Sequence, residues 1–168
     1  SKLIPLIAEA QVHVVANPLI NITLQGRHDT YPRRRGMTRV PELLAAGVNV
    51  AFGHDCVMDP WYPLGHADML DVAHMGLHVA QMTSQDGIRA AFDAVTTHSA
   101  RVMGLDDWGL APGCEASFVL LQARDVVEAI RLRPARLKVY RRGALLAETA
   151  PVMPVRHHAC GQESAGRR

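Results

Sequence analysis

Apolar residues fall along the chain in short clusters, and their period changes from helical to extended and back. Leu3, Ile4, Leu6 and Ile7 share one helical face, which predicts a helix over 3–10 with Pro5 in its first turn. Val12 to Ala16 is a short β-branched run stopped by Asn17-Pro18, which reads as a strand. A polar loop is predicted next, through Gln25-Gly26-Arg27 to Gly36. Thr38 is a helix N-cap candidate, with Pro41 and Glu42 in the first turn, Leu43 and Leu44 as the apolar side and Gly47 as the stop. Val48 to Phe52 is apolar except for Asn49, as expected of a strand covered on both faces.

Strand, crossover helix and strand make a βαβ unit, which implies parallel pairing. In parallel α/β sheets the reactive groups gather beyond the carboxyl ends of the strands. Asn17 and Asp55 both lie just past such ends. Two helices are predicted to follow, one over 68–82 and one from a cap at Thr83 or Ser84 to Met103, closed by Gly104. After Asp106 the texture becomes β-rich. Phe118 to Leu121 reads as a strand and Val126 to Leu132 as a short helix. Leu137 to Arg141 and Leu145 to Ala147 read as a hairpin around Arg142-Gly143. The segment 151–168 has no periodicity and is expected to be a mobile tail.

Composition narrows the classes. The chain has 168 residues, 48% of them hydrophobic, so it can bury a core. A net charge of +2 is too small to point to nucleic acid or an anionic membrane as partner. Three separated cysteines without a CxxC pair argue for a reducing compartment, hence a cytoplasmic location, and against a disulfide framework. No apolar run approaches the length of a membrane span.

The candidate chemistry is concentrated in FGHDCVMDPWY, Phe52 to Tyr62. Asp55 at the mouth of the buried strand reads either as a metal ligand or general base, or as a turn cap. His54 should point the other way. Cys56 is a nucleophile candidate without an assignable base, or a small pocket-wall residue. Trp61 is a core filler or a surface on which a flat substrate stacks. His74 and His78, at i and i+4, lack the glutamate of an HExxH site and read better as core or interface histidines. His98 is placed late in its helix, where it would interact with the helix dipole. No phosphate loop or dinucleotide fingerprint is present.

The motifs ANPLxNxxLQGR, FGHDxVxDPWYPLG and HMGLHV closely resemble the C-terminal part of bacterial cytosine deaminases of the amidohydrolase superfamily, over nearly the whole chain to about Ala150. The resemblance implies an α/β fold: the C-terminal portion of a metal-dependent (β/α)8 barrel over 1–105, with about two barrel strands. A segment of a small β-sandwich domain over 106–150 would follow. It implies hydrolytic deamination of cytosine to uracil and ammonia, with iron or zinc as the divalent cofactor. By the same resemblance Asp55 is the metal-binding and catalytic aspartate, Trp61 walls the base pocket, and Cys56 occupies the substrate-lining position that is commonly acidic in the family. Ser117 also stands where the family's β-sandwich segment commonly has aspartate.

The family's HxH pair, its other metal histidine, its catalytic glutamate and its base-reading glutamine have no counterpart here. They come from earlier strands, and a complete barrel takes about 250 residues. The expectation is therefore a partial enzyme, inactive alone, whose intact form is a homo-oligomer acting on a small nucleobase. A non-catalytic remnant is the alternative, as is a deaminase of isoguanine, creatinine or another cyclic amidine.

Overall fold

The centre of the structure is a three-residue strand with no exposed face. In the computed structural model, which describes residues 2–155, β2 (Val50–Phe52) is buried at all three positions. It pairs in parallel with β1 (Val14–Ala16) in the register Val14↔Val50, Val15↔Ala51 and Ala16↔Phe52. The expected parallel unit is therefore present. β1 is its open side, with Val15 exposed.

The crossover is longer in helix than the sequence suggested. Helix α1 (Leu3–Glu9) precedes β1, and two helices, α2 (Pro18–Leu24) and α3 (Val40–Ala45), connect β1 to β2. The first turns of the predicted loop are α2. Pro18 ends the strand but also sits in the opening turn of this helix, where its missing N–H costs nothing. Leu19 and Ile20 are buried, and packing against the later helix Met69–Val79 outweighs the modest propensities of Asn21 and Thr23. Helix α3 starts one residue later than Thr38 implied, with Arg39 at the cap and no side-chain capping bond.

Helix α4 (Met69–Val79) packs on β2. Asp68 caps it, accepting from the Leu70 N–H at 2.9 Å. The single helix predicted from a cap at Thr83 or Ser84 to Met103 is two helices, α5 (Gln85–Ala94), capped by Ser84, and α6 (Thr97–Val102). Two hydroxyls take over carbonyls at the break: Thr96 Oγ1 donates to Phe92 O at 2.7 Å, and Ser99 Oγ to Ala94 O at 2.8 Å. Such local bonds compete with the helix ladder, and they coincide with a β-branched run, Val95-Thr96-Thr97.

The C-terminal part is a three-stranded antiparallel sheet in the order β3 (Phe118–Leu121), β4 (Arg136–Arg141), β5 (Ala144–Glu148), with α7 (Val126–Leu132) between β3 and β4. The predicted hairpin is β4–β5. Helix α7 packs on α4 and α5 and contributes Ile130 to the same core as Phe52 and Val72. Of the predicted tail, residues 151–155 are described: Val152 exchanges two hydrogen bonds with the Gln122 amide, both 2.8 Å. The remainder of that prediction, 156–168, lies outside the described residues. No helix among the described residues is long and apolar enough to cross a membrane.

Candidate active site

The ends of β1 and β2 bring together residues that are 38 apart in sequence. The ladder closes with the Gly53 N–H donating to Ala16 O at 2.9 Å. One residue past Ala16 stands Asn17, and past Gly53 stand His54 and Asp55. Gly53 is required here because a Cβ would collide with Oδ1 of Asn17. The asparagine amide crosses the strand end through that space, and its Nδ2 donates to Asp55 Oδ2 at 3.0 Å.

Asp55 is exposed and holds a left-handed backbone, φ 66°. Such strain in a residue other than glycine persists only where the surroundings hold it, often at functional sites. Its second oxygen, Oδ1, accepts from Cys56 Sγ at 3.2 Å. Burial first, then hydrogen bonds to Asp59 and Asp55, push the Cys56 thiol up to about 12. A thiol held in its protonated form is a poor nucleophile, so Cys56 serves here as a neutral hydrogen-bond donor.

His54 turns inward, as alternation along the strand end predicts. It is 9% exposed and its Nδ1 lies 2.8 Å from Cys56 O. Gly65 closes the loop over it, since a Cβ there would meet the His54 ring and Cys56 O. Asp59 is a structural carboxylate: its Oδ1 accepts from the Trp61 and Tyr62 N–H groups, both at 2.9 Å. Those bonds, led by Tyr62, lower its pKa. They also decide what the two aromatics do. Tyr62 is buried, whereas Trp61 is 61% exposed, so Trp61 is not a core filler.

His98, His74 and His78 have structural partners. His98 sits in the first turn of α6 rather than late in a helix, and the dipole reading fails with it. Its Nδ1 lies 3.0 Å from Val50 O, while Asn49 Nδ2 donates to His98 O at 3.1 Å, tying α6 to β2. His78 Nδ1 lies 2.7 Å from His74 O, and the two rings pack at 4.5 Å. Burial, then the charge of Arg133, lowers the His74 pKa.

A second acidic group was not foreseen as a cluster. His66, Asp68 and Asp71 bring ligand atoms within 4.8 Å of one another. Their carboxylates are already matched: Arg136 pairs with Asp68, and Arg133 Nε lies 2.8 Å from Asp71 Oδ1. This group fastens α4 to α7 and β4 by charge. A cavity of about 1050 Å³ lies beside it, lined among others by Phe92, Trp108, Phe118 and Tyr140. No residue of the 53–62 loop lines it.

The sequence model of the amidohydrolase family matches residues 1–150. The chain belongs to the amidohydrolase family. It is similar to a pterin deaminase of Rhizobium rhizogenes, 34% identical over 150 residues, 88% of this chain and 34% of that protein. Among solved structures it is similar to 5-methylcytosine deaminase from Klebsiella pneumoniae liganded with 5-fluorocytosine, with 39% identity and a TM-score of 0.87. That match covers 93% of this chain and 38% of the other. N-isopropylammelide isopropylaminohydrolase from Burkholderia multivorans matches at 31% identity and a TM-score of 0.75, over 90% of this chain and 36% of the other. The chain thus spans little more than a third of the relatives it matches.

The implied divalent metal can be tested against the donors present. Asp55 is a suitable oxygen ligand, exposed and with a free lone pair on each oxygen beyond its two hydrogen bonds. No metal-ligating group found among the described residues includes it. About three protein ligands are needed for a catalytic site. This chain by itself therefore does not fit the metal, and Asp55 fits only as one ligand of a larger set.

Proposed function

We propose that this chain is the C-terminal part of a hydrolase that deaminates a cyclic amidine, with cytosine or a 5-substituted cytosine as substrate. The chain would supply two strands of a (β/α)8 barrel over 1–105 and part of a β-sandwich over 106–150. The observation that carries the reading is the Asp55 carboxylate, exposed at the paired ends of two parallel strands and held there by Asn17. Family membership and the likeness to deaminases of ring amidines support it.

In this reading Asp55 accepts the proton of the water that attacks the ring carbon bearing the exocyclic amine, the proton passes to that amine, and the C–N bond breaks to release ammonia and leave a ring carbonyl. Trp61, held by the Asp59 turn and exposed, lies flat on the heterocycle. Cys56 places a small neutral side chain, its S–H turned to Asp55, where an acid would carry charge, which favours rings with a small apolar substituent on that side. Iron or zinc, held by Asp55 with ligands from outside the chain, would supply Lewis-acid activation of the water.

The test is ammonia release from cytosine, 5-methylcytosine, isoguanine and creatinine by the intact protein, with and without Cys56→Asp. Turnover of at least one of them, reduced at least a thousandfold by Asp55→Ala, is the expected result. An unchanged ranking of substrates after Cys56→Asp would remove the specificity role. Ammonia release by the 168-residue chain with added iron or zinc would overturn its assignment as an incomplete enzyme.

A further inference from the structure

Among the described residues His54 is the only buried histidine, and no lysine, arginine or acid is buried with it. A polar ring taken out of water needs a hydrogen-bond partner. Its Nδ1 has one in Cys56 O, two residues on, at 2.8 Å. A carbonyl oxygen only accepts, so Nδ1 carries the hydrogen. The bond spans a stretch of backbone that does not hold itself. Asp55 and Met58, on either side of Cys56 and Val57, are both left-handed, at φ 66° and 51°. Residues other than glycine keep such a conformation only where their surroundings over-determine it. Gly65 returns over the bond so closely that a Cβ would meet the His54 ring, Cys56 O and the Val57 Cα. The buried Tyr62 ring lies tilted to the imidazole at 6.1 Å. Tyr62 in turn shares with Trp61 the Asp59 oxygen that accepts from both N–H groups.

We infer that His54 is a positioning residue for ring selectivity: its Nδ1–H fixes the Cys56 peptide, and with it the direction in which the Cys56 side chain faces the substrate ring. The inference deepens the proposed function and rests on that reading of Cys56 as a wall of the ring pocket. His54 is buried beneath the loop and acts through Cys56, not on the substrate. Without the bond, Cys56 O loses the donor that ties it to the end of β2, and the thiol no longer has one fixed place beside the ring. One methyl group more or less in a well-shaped pocket is worth about 10–200-fold in selectivity. A wall displaced by a fraction of that size therefore shows in the choice between ring substituents.

The experiment compares three variants of the intact protein. His54→Asn places its amide N–H close to where Nδ1 stands and keeps the donor. His54→Gln reaches past that point, towards the place of Nε2, and loses the bond. His54→Leu has no donor. The first readout is the ratio of kcat/KM for 5-methylcytosine to that for cytosine. This ratio does not depend on how much of a sample is folded, because both substrates compete for the same active molecules. His54→Asn, whatever it loses in rate, is expected to keep the parent ratio within about threefold, whereas His54→Gln and His54→Leu should lower it about tenfold or more. The second readout is amide hydrogen exchange in the segment 55–65, which should quicken in the glutamine and leucine variants and not in the asparagine variant. A ratio unchanged in all three, or altered alike in asparagine and glutamine, would overturn the inference and leave His54 as a filler of the core. If the histidine variants do not fold, Gly65→Ala, which presses on the ring and on Cys56 O, takes their place and should lower the same ratio; an unchanged ratio there overturns the inference. A parent that deaminates neither ring sinks the proposed substrate class, and exchange then decides for His54 alone. Faster exchange in glutamine and leucine but not in asparagine keeps it as the holder of Cys56, and equal exchange removes it.

Discussion

Gly76, midway along α4, lies so close to Phe52 that a methyl group on its α-carbon would overlap the ring at Cε2, Cδ2 and Cζ. The ring cannot retreat, because Phe52 is 2% exposed and packed on every side. This contact sets how near α4 approaches β2.

Gly76→Ala should therefore destabilise the protein even though alanine is the better helix former. Overpacking costs about 1–3 kcal/mol, against about 1 kcal/mol gained in propensity. Chemical denaturation should show a lower midpoint. Combining it with Phe52→Leu should restore part of the loss, and strict additivity of the two would mean the contact is not made.

Asp68 does two things, and substitutions separate them. It caps α4 through Leu70 N and pairs with Arg136 of β4. Asp68→Asn keeps an oxygen for the cap but loses the charge, whereas Asp68→Ala loses both. The alanine variant should be less stable than the asparagine variant by about 1 kcal/mol, the ordinary worth of a cap. Urea unfolding of the pair measures this difference, and equal midpoints would show that the carboxylate acts through Arg136 alone.

His74 ties stability to pH. Burial, then Arg133 and His78, depress its pKa below 6.5. Between that lowered value and 6.5 the unfolded chain binds a proton that the folded one refuses, so stability rises with pH there. The contribution is complete above pH 6.5 and is lost as the pH falls through the folded value. Melting curves from pH 8 to pH 5 should drop more steeply for the parent than for His74→Gln. Parallel curves would assign the acid sensitivity to other groups.

Cys56 should be slow to alkylate in the metal-free protein. Its thiol is pushed from 9.0 to about 12 by burial and the neighbouring carboxylates, so almost none of it is thiolate at pH 8. Iodoacetamide labelling followed by peptide mass spectrometry should show its rate still climbing above pH 10. Asp59→Asn should speed it by removing one of the charges that hold the proton on sulfur. A labelling rate that levels off near pH 9 would contradict this arrangement.

Much of the local backbone around the candidate site was legible in the sequence. The run Val48 to Phe52 ends abruptly at Gly53, and an acid directly after a doubly buried parallel strand has few places to point. The family motifs around Asp55 and Trp61 follow the same local logic, because strand, turn and loop are written by residues a few positions apart. So are the hairpin at Arg142-Gly143 and the apolar stripe of α4.

What eluded the sequence is non-local or depends on competition. Helix α2 forms because Leu19 and Ile20 are buried against α4, a packing gain that outweighs the polar look of that segment. The break at Thr96 comes from hydroxyls choosing helix carbonyls. His98 is fixed by Val50 O, 48 residues away, rather than by its own helix. The Asn17–Asp55 bond exists only because parallel pairing places Ala16 beside Phe52 and an absent side chain at Gly53 leaves the amide room to cross. The sequence by itself determined which residue types stand at the ends of the strands, since hydrophobic period and turn chemistry are local. Only the tertiary structure decided which of them meet, because hydrogen bonds and packing across a fold are fixed by distances in space.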